Sequence, residues 1–388
     1  MKTSTQRMAQ LAPQFFASLN TKVSALQASG CDVIRLDVGS PDLPPASPII
    51  DALASSAGDP HAHGYVSHNG PLALRRAWAD MYRRLYNVSL DVEEEIVPLM
   101  GSKEGIFHLS MALLEPGDVV LVPDPAYPTY SIGAHFAGAE TYFMPLLPGA
   151  GYLPDFQSLP PSVLSRARLL WLNYPGNPTA AVAPPGFFTE ALDFADRYGL
   201  LVCHDAAYAQ VTYDGYQAPS ILQAPGALDL AVEFNTLSKS HNMAGWRVGA
   251  ALGNRAALRS LSILKTHADS SHFLPILKAA EAAMNGDQAW LDERNAVYAR
   301  RRDLVLDSLK RIGLAPALPL ASLYVWCPVP KGWKAVDFAA AVLDNAQVSL
   351  TPGTVFGTHG EGFVRIALTA SLERTAQAMQ RIENWMQR

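Results

Sequence analysis

From residue 96 onward the chain repeats one pattern: a short apolar run, a polar tail rich in turn residues, then a stretch with helical periodicity. The apolar runs fall at 119–122, 169–172, 200–203, 230–234 and 248–252. Runs this short and this uniformly apolar suit strands buried on both faces, and residues 187–198 carry the 3.6-residue period of a helix between two of them. Strand–helix–strand units of that length build a parallel sheet covered on both faces. The expected fold class is α/β, a mostly parallel central sheet covered by helices, with a smaller α+β domain.

Four of the runs lead into distinctive tails. They are Pro-Asp-Pro-Ala-Tyr-Pro at 123–128, Asn-Tyr-Pro-Gly-Asn-Pro-Thr at 173–179, His-Asp-Ala-Ala-Tyr at 204–208 and Asn-Thr-Leu-Ser-Lys-Ser at 235–240. Ligands of open α/β sheets bind beyond the carboxyl ends of the strands, so these tails are expected to line one crevice. The last third changes character, with a long charged helical stretch at 290–312, a strand at 323–327, a helix at 336–345 and Phe-Val-Arg-Ile-Ala-Leu at 363–368. A large domain is placed at 46–285 and a small one at 1–45 joined with 286–388. Met8, Leu11, Phe15 and Leu19 recur at helical spacing, which predicts a short amphipathic helix rather than a targeting peptide.

Thirty basic side chains stand against 35 acidic ones, a net charge of −5. Nucleic-acid partners are not expected, because that binding needs clustered Lys and Arg. No apolar run nears the roughly 18 residues that cross a bilayer, so no membrane partner is expected either. Cys31, Cys203 and Cys327 are too widely spaced for a disulfide framework or a zinc pattern, which suits the reducing cytoplasm. Neither G-x-G-x-x-G after the first strand nor G-x-x-x-x-G-K-[ST] occurs, and nicotinamide and nucleoside triphosphate chemistry lose ground.

Cys203, His204 and Asp205 carry the three side chains of a nucleophilic triad, but strand neighbours point to opposite faces and cannot converge. His61 and His63 lack a third ligand at suitable spacing, so no metal is expected. Lys239 follows a buried strand; taken alone it is an ordinary loop lysine. Asp205, at the mouth of an apolar strand, either caps a helix or meets a cation or strong donor. A pyridinium nitrogen is one such partner, and proteins hold pyridoxal phosphate with a carboxylate placed there.

Taken together, Asn-Tyr-Pro-Gly-Asn-Pro-Thr (173–179), Asp-Ala-Ala-Tyr (205–208) and Ser-Lys-Ser with Trp-Arg-Val-Gly (238–249) resemble, in order and separation, the signature blocks of the pyridoxal-phosphate-dependent class I/II aminotransferases. The likeness runs from about Ile34 to Ala370. Leu-Asp-Val-Gly-Ser-Pro-Asp-Leu-Pro-Pro (36–45), Gly-Ser-Lys-Glu-Gly (101–105) and Pro-Gly-Thr-Val-Phe-Gly (352–357) look most like the LL-diaminopimelate aminotransferase branch. Three positions depart from the pattern: Ala180 stands where the family usually has glycine, and Ser240-His241 where the branch more often has threonine and an aromatic residue.

The resemblance implies fold type I of the pyridoxal-phosphate transferases, pyridoxal 5'-phosphate as cofactor and a homodimer with shared sites. It implies that Lys239 captures the cofactor aldehyde and then moves the substrate proton. Asp205 would face the ring nitrogen, Tyr208 and Asn177 the ring hydroxyl oxygen, and Tyr127 the ring face. Ser102, Lys103, Thr236, Ser238 and Arg247 would hold the phosphate, with Tyr65 reaching the phosphate of the neighbouring subunit. Arg365, which local sequence alone would assign to a salt bridge, is implied to grip the substrate α-carboxylate, helped by Gly39 and Asn177. The implied reaction moves an amino group between an amino acid and a 2-oxo acid, with glutamate as one partner. A β-lyase or decarboxylase on the same scaffold is the alternative, ahead of a regulatory domain.

Overall fold

The computed structural model describes residues 3–11 and 15–388. The chain lays down β1 (Ile34–Arg35), β2 (Ile96–Leu99), β3 (Val119–Asp124), β4 (Glu140–Pro145), β5 (Ala167–Leu172), β6 (Leu201–Asp205), β7 (Ala231–Thr236), β8 (Gly249–Gly253), β9 (Tyr324–Pro328), β10 (Val348–Ser349), β11 (Thr351–Pro352) and β12 (Phe363–Ala367). Strands β2 to β8 form one sheet in the order β2-β8-β7-β6-β5-β3-β4. From β4 through β3, β5 and β6 to β7 every pairing is parallel. Successive residues alternate between two apolar layers: Leu121, Leu170 and Val202 face one, while Val122, Trp171, Cys203 and Phe234 face the other. That is why apolar side chains occupy both faces of these strands, with His204 and Glu233 pairing in the interior.

Two features depart from the sequence reading. The strand expected at 248–252 exists, but it runs antiparallel to both β7 and β2. The connection from β7 is spent on one helical turn, Leu237–Ser240, and a 3-10 turn, Ala244–Trp246, with no covering helix to carry the chain back across the sheet. Strand β4, whose Tyr142-Phe143-Met144 run is absent from the sequence reading, lies at the sheet edge, where only Met144 is buried.

The expected helix at 187–198 forms as Phe187–Tyr198, buries Phe187, Phe188, Ala191, Leu192, Phe194 and Ala195, and ends on Gly199 at φ 65. At the N-terminus, Met8 and Leu19 fall in separate helices, Gln6–Ala9 and Phe15–Ala28, and residues 12–14 of the predicted helix lie outside the described residues. Different packing divides the segment. Arg7 donates to the Phe136 carbonyl beside the large sheet, while Leu19 packs with Val23, Val33 and Leu343.

A second body is built from both chain ends. Strands β11, β12 and β9 form an antiparallel sheet, β1 pairs with β10, and Ile34, Val305, Val325, Ile366 and Ile382 share one core. Tyr208, Val211 and Tyr213, from the tail after β6, also pack into that core. The tail after β6 therefore touches both bodies. No helix among the described residues is long and apolar enough to cross a membrane.

Candidate active site

A cavity of about 490 Å³ opens at the carboxyl ends of β3, β5, β6 and β7, where Tyr127, Asn177, Asp205, Tyr208 and Lys239 meet. Ser102, Lys103, Thr236, Ser238 and Arg247 line it too, and Gly39 and Arg365 approach from the second body. Of the residues expected at the site, Tyr65 alone lies elsewhere, 97% exposed on the surface of its own chain.

Lys239 sits in the one-turn helix that Thr236 caps, its Oγ1 accepting the Ser238 N–H at 3.2 Å. The Lys239 Nζ donates to the Gly39 carbonyl at 2.6 Å. Burial pushes this ammonium below the ordinary lysine range, and the guanidiniums of Arg365 and Arg247 push it the same way. Asp205 is buried, and burial raises its carboxyl above the usual carboxylate range. Two donors oppose that rise: the Tyr130 hydroxyl at 2.8 Å and the Ala207 N–H at 3.2 Å. Asp205 caps no helix, and among the described residues no cation touches this buried acid.

Asn173 ties two of the tails, donating to the Asp205 carbonyl at 2.7 Å and accepting the Asn177 N–H at 2.8 Å. The turn beyond keeps its shape by holding Ala180 at φ 55, the left-handed region that glycine enters without strain. His204 points away from Asp205, as strand geometry requires, to Glu233 at 2.8 Å and the Tyr174 carbonyl at 2.9 Å.

Arg365 lies between two rings, 4.1 Å from the Tyr324 centroid and 4.8 Å from that of Phe356. It donates to Asn177 Oδ1 at 2.9 Å and to the Asp37 carbonyl at 2.8 Å. Arginine has no acceptor, so the oxygen of the Asn177 amide faces it and the amide nitrogen is left for another acceptor. The salt bridge that local sequence favours is absent among the described residues. Asp37 is neutralised instead by Arg35, at 2.6 Å to each carboxylate oxygen.

At the other end, the helix Ser102–Leu113 starts without a side-chain cap, so its first N–H groups remain free for an anion. Gly101 must be glycine: it holds φ 78, and a Cβ there would lie 2.3 Å from the Arg247 guanidinium. Among the described residues Lys103, Lys239, Arg247 and Arg365 have no carboxylate partner, so the cavity carries an excess of positive charge. Below the helix, Glu104, His108 and Asp269 converge as metal ligands would, but the Lys265 ammonium fills the position, 2.8 Å from Glu104 and 3.0 Å from Asp269.

The family described as Aminotransferase class I and II matches residues 31–382. This chain belongs to that family. It is 47% identical to the LL-diaminopimelate aminotransferase of Moorella thermoacetica over 377 residues, 97% of each chain. It is 44% identical to the enzyme of the same name from Dehalococcoides mccartyi strain 195, covering 99% of both. Its fold superposes on substrate-bound BacF from Bacillus subtilis with a TM-score of 0.96 at 34% identity, covering 99% and 98% of the chains. The chain is thus a pyridoxal-phosphate-dependent aminotransferase, with the fold and cofactor that the sequence blocks imply.

The aminotransferase cavity fits that cofactor chemically. A buried carboxyl suits a ring nitrogen, uncapped N–H groups beside Arg247 suit a phosphate, and a lysine whose proton affinity burial lowers suits an aldehyde. Sequence reasoning missed Tyr130, three positions beyond Tyr127, and Arg294, which donates to the carbonyls of Lys239 and Gln210, each at 2.8 Å, and to that of Ser240. Arg294, Tyr298, Arg301, Arg302 and Val305 form the buried stripe of their helix. Arginines on the core side of a helical period were the available signal.

Proposed function

We propose that this aminotransferase takes its amino group from an LL-diaminopimelate-type donor, an amino acid bearing a second amino-acid head. The acceptor is a 2-oxo acid, with 2-oxoglutarate and glutamate as the second pair. The observation that carries this reading is the 47% identity, over 97% of both chains, to a relative named for that donor. The cavity is compatible with it: besides Arg365, its wall includes Arg35 and Asn20, polar groups outside the set assigned to the cofactor.

When bound, pyridoxal phosphate supplies an aldehyde that an amine can capture and a cationic ring that draws electrons from the bonds of the captured carbon. Ser102, Lys103, Thr236, Ser238 and Arg247 would hold the phosphate, Asp205 the ring nitrogen and Tyr127 the ring face, while Tyr208 and Asn177 would donate to the ring oxygen. Arg365 grips the substrate α-carboxylate with both outer nitrogens, assisted by Gly39 and Asn177. Lys239 would face the aldehyde carbon, and its amine, when free, would hold the proton moved to and from substrate Cα. Burial and the nearby guanidiniums lower its proton affinity, the direction a lysine base needs.

Residues 46–285 serve as the large domain, and 1–45 with 286–388 as the small one that brings Arg365 to the substrate. Tyr65, fully exposed on its own chain, suits a role at the cofactor phosphate of a second copy, so the active form is a homodimer. Three unpaired cysteines are consistent with a cytoplasmic enzyme.

The test is a set of single half-reactions on the purified holoenzyme with LL-diaminopimelate, L-aspartate and L-alanine, followed by the cofactor absorbance. LL-diaminopimelate should bleach the band fastest, and Lys239→Ala should show no covalently held band. A wild type that turns over aspartate or alanine and ignores LL-diaminopimelate overturns the donor assignment.

A further inference from the structure

Tyr324, on β9, belongs to neither the binding groups nor the proton carrier assigned above, yet it touches the neighbours of both. It is 2% exposed. Its ring face carries the Arg365 guanidinium at 4.1 Å, and its hydroxyl meets the Tyr208 hydroxyl at 2.8 Å. The register explains the first contact: Arg365 lies opposite Trp326 across β12 and β9, which places Tyr324 at the diagonal position on the same face. Gly39 passes so close that a Cβ there would lie 2.3 Å from the Tyr324 oxygen, and the Gly39 carbonyl takes the Lys239 Nζ.

Hydrogen counting gives the contact a direction. A tyrosine hydroxyl has one hydrogen to donate. If Tyr208 donates its own to the cofactor ring oxygen, the hydrogen between the two tyrosines must come from Tyr324.

We propose that Tyr324 is a positioning residue that donates to the Tyr208 oxygen and presents its ring to Arg365, so that one side chain sets both the ring-oxygen donor and the carboxylate grip. The proposal rests on the roles given above to Tyr208 and Arg365. Donation into the Tyr208 oxygen polarises the Tyr208 O–H and strengthens the bond it makes. A stronger donor at the ring oxygen draws charge from it and weakens its hold on the proton it shares with the lysine-linked nitrogen. Loss of the Tyr324 hydroxyl therefore raises the pH at which the cofactor absorbance titrates. Loss of the ring loosens Arg365 and weakens carboxylate binding.

The experiment uses holoenzyme carrying Tyr324→Phe, Tyr324→Leu, Tyr208→Phe or Tyr208→Phe with Tyr324→Phe. Two quantities are read: the pH midpoint of the cofactor absorbance, and the dissociation constant of glutarate, a dicarboxylate without an amine. Tyr324→Phe, which keeps the ring, should raise the midpoint by about half a pH unit, roughly a threefold change in proton affinity. Its glutarate affinity should stay within about threefold of wild type. In the Tyr208→Phe background the same change should shift the midpoint no further. Tyr324→Leu should also weaken glutarate by roughly three- to thirtyfold. An unmoved midpoint in Tyr324→Phe, beside a shifted one in Tyr208→Phe, overturns the donor role alone. An unmoved midpoint in Tyr208→Phe overturns the assignment of Tyr208, and this proposal with it.

Discussion

Replacing Tyr130 with phenylalanine removes one hydroxyl and leaves the packing in place. The ring is fully buried and stacks on Trp171 at 4.8 Å and 8°, contacts that phenylalanine keeps. The lost group donates to Asp205 Oδ2 at 2.8 Å, leaving the Ala207 N–H at 3.2 Å as the remaining donor to that carboxylate. A hydrogen bond to a charged group contributes about 1.5–3 kcal/mol. Burial already raises the Asp205 carboxyl, and Tyr130 is the largest influence opposing it, so the variant raises it further. The carboxyl is then protonated over a wider range of pH, and the protonated form offers the ring nitrogen no charge. At about 1.4 kcal/mol per decade, pyridoxal phosphate affinity should fall by roughly 10- to 150-fold. The sign with pH is fixed: a raised carboxyl loses its charge at higher pH, so the deficit should be worst near about pH 6 and shrink toward about pH 8. Equilibrium dialysis of pyridoxal phosphate at both values, wild type against Tyr130→Phe, measures it. Affinities within threefold of each other at both values would refute the idea that Tyr130 keeps Asp205 ionised.

Three other perturbations probe the frame around the site. Burial, with the Arg294 guanidinium assisting, lowers the pKa of His241 to about 3; an unfolded histidine titrates near 6.5, so the unfolded chain binds the extra proton and stability falls as pH drops through that window. His241→Phe should flatten the dependence of urea unfolding on pH between about pH 4 and about pH 6.5, and an unchanged slope counts against it. Arg294→Met leaves the carbonyls of Lys239 and Ser240 without their buried donor, while that of Gln210 keeps the Asn295 amide at 3.2 Å, and should cost about 3–5 kcal/mol in denaturant unfolding; a loss below about 1 kcal/mol contradicts that accounting. Asp124 accepts from the Thr358 N–H and hydroxyl and from the His359 N–H, joining β3 to the second body. Asp124→Ala should raise the substrate KM about tenfold while pyridoxal phosphate affinity holds, the opposite split arguing that this contact serves the cofactor pocket.

Much of the large sheet was legible because its information is local. Residues 169–172 and 200–203 are apolar on both faces, and the tails that follow supply Asn177, Asp205 and Tyr208 within a few residues of a strand end. The period of 187–198 located a helix to the residue, since its buried stripe and its glycine stop lie in one short window. Strand β4 was passed over although Tyr142, Phe143 and Met144 are strand-like residues; at the sheet edge only Met144 is buried, so the run lacks the two-sided apolar pattern of its neighbours. The antiparallel sense of β8 is equally silent, because a strand reads the same in either direction.

The supports of the site were hidden by distance along the chain. Tyr130 reaches Asp205 across 75 residues, Tyr208 meets Tyr324 across 116, and Arg294 meets Lys239 across 55. No motif window spans such separations, and each partner taken alone is an ordinary buried tyrosine or a helix arginine. Arg365 changes meaning once its neighbours are in place. Local sequence assigns it a salt bridge, yet around it are two aromatic faces, an amide oxygen and a backbone carbonyl, all of them uncharged. Burying a guanidinium against neutral groups alone is costly, and an apolar residue of similar volume would serve the core better. The position makes physical sense if a carboxylate enters the cavity and completes the pair, so the missing counter-ion is itself the argument for a substrate acid group at Arg365.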